Sequence, residues 1–197
     1  NRNKGAFPLA PDPATAIEQP FLVNQNAIAT MQDDAFNGSL SLHYRAENWE
    51  MQAQTAYQSN YRVYDKPLDA DFSPLDIISI FNNYGNDYNH VKVWTQEVRF
   101  NSRPEAGRKL NWTAGTFLFS QQNPVKQATV FGEQAPLIGL PDSNFSLITT
   151  NDGRNQGIAF FGQLQYQLGK RWALTAGLRY DYENRRLSVS GSYLKEP

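Results

Sequence analysis

Apolar and polar positions alternate along six stretches of this chain. The clearest runs from Trp49 to Tyr64. One side reads Trp49, Met51, Ala53, Thr55, Tyr57, Ser59, Tyr61, Val63; the other reads Glu50, Gln52, Gln54, Ala56, Gln58, Asn60, Arg62, Tyr64. A period of two predicts a β-strand with one face unlike the other. The remaining stretches cover 35–45, 91–102, 110–121, 157–168 and 172–187. In the first, Phe36, Leu40, Leu42 and Tyr44 share a side, although Asn37-Gly38 is a hairpin-type pair and Ser39 an alternative start. The third sets Trp94, Val98 and Phe100 against Glu97 and Arg99. The sixth sets Trp172, Leu174, Ala176, Leu178, Tyr180 and Tyr182 against Thr175, Gly177, Arg179, Asp181 and Glu183. Residues 1–34 hold Pro8, Pro11, Pro13 and Pro20 and read mostly as loop.

Tryptophan recurs at one place in this pattern. Trp49, Trp112 and Trp172 each follow a short polar turn and open an alternating stretch. The links after the second and fourth stretches, about 65–90 and 122–156, are long. Short turns at one end and long loops at the other mark a transmembrane β-barrel, and indole suits the boundary between hydrocarbon and water. The expected fold is all-β, with antiparallel up-and-down strands forming a segment of a large transmembrane barrel. Trp49, Trp112 and Trp172, with Tyr44, Phe100 and Tyr166, fall at the periplasmic interface; Trp94, Tyr61, Tyr180 and Tyr182 fall at the outer one. A strand from Trp49 to Tyr64 reaches about 50 Å, whereas crossing a bilayer takes about 9–11 residues, so it projects beyond the outer surface. A soluble β-sandwich also alternates, but its strands are usually about 5–6 residues long.

Composition removes other classes. The net charge of −1 gives no basic surface for nucleic acid, and there is no cysteine for disulfides or thiolate chemistry. The mean hydropathy of −0.59 is compatible with a barrel whose strands show every second residue to a polar interior. The two histidines, His43 and His90, lack a partner at metal-ligand spacing. No catalytic constellation, metal site or cofactor motif is present. The linker after Tyr64 is acidic, with Asp65, Asp69, Asp71, Asp76 and Asp87, in no known calcium-loop pattern. Within it, Ser73-Pro74-Leu75-Asp76 has the order of a helix start and predicts a short helix from about Pro74 to Asn82.

Three motifs resemble the TonB-dependent outer-membrane receptors. Thr95-Gln96-Glu97-Val98-Arg99-Phe100 with Leu110-Asn111-Trp112-Thr113-Ala114-Gly115 is similar to one hairpin of that family. Ala159-Phe160-Phe161-Gly162-Gln163 with Leu174-Thr175-Ala176-Gly177-Leu178-Arg179-Tyr180-Asp181 is similar to a second. Gln54-Thr55-Ala56-Tyr57, followed by Asp69-Ala70-Asp71-Phe72-Ser73-Pro74, resembles the strand and outer loop before them. The likeness covers roughly Asp34 to Arg186. It implies a bacterial outer-membrane location and uptake of a scarce nutrient, by default a ferric siderophore, driven by the TonB complex through a plug domain. No plug sequence is visible, and six strands cannot close a 22-stranded wall, so the chain is expected to be the middle part of a barrel. Expected ligand contacts are Arg62, Arg99, Arg179, Tyr84 and Tyr88; the expected lipid-interface aromatics are Trp49, Trp94, Trp112, Trp172 and Tyr180. The competing functions are a soluble or surface β-sandwich binding module and a passive porin.

Overall fold

The computed structural model describes residues 2–5, 13–19, 25–71, 73–82, 88–103 and 108–195. In chain order its elements are β1 (Arg2–Gly5), α1 (Pro13–Glu18), β2 (Ala29–Arg45), β3 (Trp49–Tyr64), β4 (Leu68–Asp69), β5 (Ile78–Phe81), β6 (His90–Ser102), β7 (Leu110–Phe131), a 3-10 turn (Ala135–Ile138), β8 (Phe145–Gln167) and β9 (Ala173–Lys195). All strands join one antiparallel sheet. The long strands follow in sequence, β2-β3-β6-β7-β8-β9, and the sheet does not close on itself. This is the all-β, up-and-down wall that the alternation predicts.

The strands are longer than the alternation marks. β2 begins at Ala29, so part of the region expected as loop is sheet; β1 pairs with it, Arg2 opposite Gln32, and α1 adds one short helix. Asn37-Gly38 makes no turn, since Asn37 lies opposite Gln58 and Gly38 opposite Tyr57. The expected long loop 122–156 is mostly a hairpin. β7 and β8 stay in register from Leu110↔Tyr166 up to Phe131↔Phe145, leaving only 132–144 between them. Alternation fades there because both faces become polar, with Gln121, Gln122 and Asn123 facing Asn155, Arg154 and Gly153. Pro124 is tolerated because β6 stops pairing with β7 at Gln122. Its missing N–H breaks no rung, and its carbonyl accepts from the Asn89 amide at 2.8 Å.

The expected helix at 74–82 is replaced by β5. Asp71 decides this. Its carboxylate accepts from the Ser73 amide (3.0 Å), the Ser73 hydroxyl (2.6 Å) and the amides of Ile77 (3.1 Å) and Ile78 (2.9 Å). Ser73 Oγ does accept from the Leu75 amide at 3.1 Å, as a cap would. The chain then extends instead of coiling, because Ile78–Phe81 can pair with Ala128–Phe131 of β7. The helix-start residues serve a turn.

The upper end of the sheet carries most of the buried apolar side chains. Ile77, Ala128, Ala135, Phe145 and Ile148 are buried, and Phe145 stacks on Phe131 (4.6 Å) and Tyr193 (5.4 Å). Below it the sheet is a single layer with both faces uncovered. Leu178 is 80% exposed and Leu40 62%. A single uncovered layer of this kind is no core for a water-soluble domain.

Asp71 makes the upper end acid-sensitive. Burial raises its pKa, but the hydrogen bonds from the Ser73 hydroxyl and the Ile78, Ile77 and Ser73 amides outweigh burial, so the carboxyl titrates below its ordinary range. The amide of Thr30 lowers Asp65, and the Lys195 ammonium lowers Asp142. A lowered folded pKa gives stability that is complete above the unfolded value of about 3.9 and is lost as pH falls through the folded one. Amide exchange at Ile77 and Ile78 in the full-length protein should therefore accelerate below about pH 4. Asp71→Asn should raise exchange already at pH 7; unchanged protection would refute the assignment.

Candidate functional site

Because pairing registers run unbroken from β2 to β9, residues on one face fall into lateral rows. On the polar face, Gln52, Arg99, Gly115, Phe161 and Arg179 form one row. The next holds Gln54, Glu97, Phe117, Ala159 and Asp181; the next, Ala56, Thr95, Phe119, Gly157 and Glu183. The charged side chains expected on this face are brought together here, and they are layered by sign.

Phe161 is the centre of the layer. Its ring lies over Gly115, where a Cβ would overlap the ring and sit 2.7 Å from the Val98 carbonyl oxygen. The Arg99 and Arg179 guanidinium carbons stand 5.7 and 5.9 Å from the ring centroid, one from each side. Guanidinium over an aromatic face is favourable by about 0.5–1 kcal/mol at exposed sites. Charge pairs run along single strands: Arg99 with Glu97 at 2.7 Å, Arg179 with Asp181 at 2.8 Å, Arg185 with Glu183 at 2.8 Å. Gly115 and Phe161 separate the two arginines across the sheet, so each arginine pairs two residues along its own strand. Two rows higher, Phe119 covers Gly157 in the same way and stacks with Phe117, in the row between, at 6.3 Å. The arrangement can hold planar or anionic groups. It contains no nucleophile beside a base.

Sequence reasoning placed Arg99 and Arg179 on this face and missed Phe161 and Phe119 beside them. The signal was a break in alternation: Phe160-Phe161 puts one ring on each side, and Gly115 and Gly157 leave the space the inner rings occupy. Arg62 lies elsewhere. It extends from the top of β3 to Asp33 at 2.9 Å, and Asn60 donates to the same carboxylate at 2.7 Å. Tyr88 is half-buried, with the Lys126 ammonium 5.4 Å above its ring. Tyr84 lies outside the described residues. Ligand candidates at the rim and in the wall are thus not one cluster.

The other face is apolar and has aromatic ends. Trp49 packs between Tyr44 (5.5 Å) and Phe100 (5.8 Å), and Trp112, Tyr166 and Trp172 continue that end near the tight turns. At the opposite end stand Phe36, Tyr57, Trp94, Ile158 and Tyr182, with Tyr180 one row inside. Tyr61 lies beyond that end, edge-on to His90 at 5.8 Å. Both ends step down the strands from β2 to β9 by roughly one residue per strand, the stagger that tilted barrel strands require.

A family profile described as TonB dependent receptor-like, beta-barrel, matches residues 1–193. The chain belongs to the TonB-dependent receptor β-barrel family. Among solved structures, the ferric yersiniabactin uptake receptor FyuA from Yersinia pestis superimposes with a TM-score of 0.58 at 13% identity. That match covers 85% of this chain and 25% of the receptor chain. This chain therefore spans about a quarter of that receptor's length, and at this identity the likeness concerns the fold. No curated protein sequence matches this one. The open sheet is accordingly a segment of a TonB-dependent receptor barrel, as the hairpin motifs implied.

The two ring-over-glycine seats should respond differently to substitution. At Gly157 the three atoms nearest an added methyl all belong to the Phe119 ring, which can swing away; at Gly115 the Val98 carbonyl oxygen is among them. In the full-length receptor, Gly115→Ala should cost about 1–3 kcal/mol of stability and Gly157→Ala less. Phe119→Ala should abolish the Gly157→Ala cost, while Phe161→Ala should leave part of the Gly115→Ala cost in place. Denaturant unfolding of the single and double variants measures both cycles; equal rescue at the two sites would contradict the geometry.

Proposed function

We propose that this chain is part of an outer-membrane receptor that takes up a scarce nutrient, a ferric siderophore, with energy delivered by the TonB complex. The observation that carries the membrane reading is the apolar face: uncovered over its whole height, bounded at both ends by aromatic rings, and backed by a polar face of paired charges. Hydrocarbon accepts such a face only where all backbone groups are bonded to neighbouring strands, as in a barrel. Trp49, Trp112 and Trp172 then mark the periplasmic boundary and Trp94 the outer one, with Tyr180 within the slab. The polar face lines the lumen. The upper end, built from β4, β5 and the extended β7–β8 hairpin, stands outside the cell.

Transport on this reading involves binding and displacement, with no covalent step. The ligand meets the outer end first, where Arg62 and Tyr88 lie. Arg99 and Arg179 stand much lower in the wall, flanking Phe161, on the face toward a plug domain contributed by the rest of the protein. Movement of that plug under TonB would open the path past them. The ferric siderophore is the substrate this family membership favours, and the name of the Yersinia neighbour is consistent with that class.

Two measurements test the proposal. A spin label at Leu174 of the full-length receptor in bilayers should be accessible to oxygen and shielded from a polar nickel reagent, and a label at Thr175 should not share that pattern. Protection of Leu174 from both reagents would sink the lipid-facing assignment. Deletion of the gene should abolish growth on one ferric chelate as sole iron source, and the deletion of TonB should do the same; growth unaffected on every chelate tried would remove the siderophore assignment.

A further inference from the structure

Just beyond the upper aromatic end of the apolar face, a second kind of row crosses the sheet. Lys92 lies opposite Gln122, Gln122 opposite Arg154, and Arg154 opposite Arg186. All four side chains are exposed, and by parity they point to the same side as Trp94, Ile158 and Tyr182. Three cations thus stand on the outward face over three strand spacings, about 15 Å. They lie two to four residues past the last apolar positions of their strands. With strand tilt this is about 5–10 Å above the hydrocarbon boundary, the depth of lipid headgroups.

The charge of this strip is not cancelled on its own surface. Asp152 pairs with Arg154 at 3.1 Å. Among the described residues Lys92 and Arg186 enter no ion pair, and Lys92 is bordered by Ser59, whose hydroxyl is 2.6 Å from His90 Nε2. Three cations against one carboxylate leave a net positive strip in a chain whose total charge is −1. A soluble ligand would be met on the polar face or at the loops. An occupant on this side has to come from the membrane.

We propose that Lys92, Arg154 and Arg186 form a docking strip for an outer-leaflet lipid whose headgroup carries two or more phosphates. A single phosphate engages one or two of the side chains; the width of the strip calls for phosphates held apart on one headgroup. Guanidinium forks suit phosphate oxygens, and the lysine supplies a point charge. The acyl chains of the same lipid would lie on the apolar rows below, along Trp94, Ile158 and Tyr182. The inference rests on the proposal that this face touches lipid.

The test uses the full-length receptor in lipid nanodiscs. It compares retention of a bis-phosphorylated glycolipid, its dephosphorylated form and phosphatidylglycerol, read by native mass spectrometry. Wild type should retain the bis-phosphorylated lipid preferentially. The triple variant Lys92→Gln, Arg154→Gln, Arg186→Gln should retain it about tenfold less or weaker, while Lys92→Arg with Arg154→Lys and Arg186→Lys should retain most of it. Heat-modifiable gel migration verifies that each variant is folded. Unchanged retention in the glutamine variant, or equal retention of one-phosphate and two-phosphate lipids by wild type, overturns the strip. If the Leu174 label is oxygen-accessible in the same preparation, such a result removes the strip alone; if that label is protected from both reagents, the membrane reading falls with it.

Discussion

Backbone hydrogen bonding in an apolar setting is the constraint on which the remainder depends. A sheet one layer thick, with one face toward hydrocarbon, has no water to satisfy its N–H and C=O groups on that side. Each strand must therefore bond to the next along its whole membrane height. The registers show this: β2 to β9 are antiparallel neighbours without a bulge in the paired residues, and β7 and β8 stay paired over 22 positions. Long unbroken ladders make the lateral rows, and the rows bring distant side chains together. Arg99 and Arg179 are neighbours of Phe161 for this reason alone.

The same constraint explains where departures are allowed. Pro124 sits where the β6 ladder has ended and water or a loop amide can serve the backbone. The side chain of Asp71 replaces a ladder in the turn before β5, collecting amides that no strand reaches. Both lie above the apolar rows. The buried apolar cluster around Ile77, Ala128 and Phe145 is also there; on the proposed reading water surrounds that end, and the hydrophobic effect operates on it in the usual way. In the wall itself stability comes from ladders, from ring-over-glycine packing on the polar face and, on the proposed reading, from lipid and plug on either side.

The polar face combines two demands. It must be hydrated or covered by polar partners and, on the proposed reading, has to be rigid enough to hold a plug. Gly115 and Gly157 meet the second demand by leaving room for the Phe161 and Phe119 rings against the sheet, and the two arginines stand over the Phe161 ring. The acid partners two residues away on each arginine's own strand keep this layer nearly neutral. The outward face has no such pairing at Lys92 and Arg186, which is what sets that strip apart from the charges inside.

Much of the wall was legible in the sequence. Alternation is a local property, since successive side chains of an extended chain point to opposite sides whatever they pair with. It sufficed to mark the six long strands, to separate the Trp49–Trp112–Trp172 side from the Arg99–Arg179 side, and to place the tight turns. What lay across from each residue was not legible, because register belongs to pairs of strands. The upper halves of β7 and β8 were hidden because both of their faces are polar. β5 was hidden because Ser73-Pro74-Leu75-Asp76 favours a helix until Ile78–Phe81 finds a strand to pair with. Phe161 over Gly115, and Lys92 in line with Arg154 and Arg186, exist only once the sheet is assembled. The chain alone determined which side each residue faces; the tertiary structure decided which residues share a row, because only hydrogen-bonded neighbours bring them to the same height.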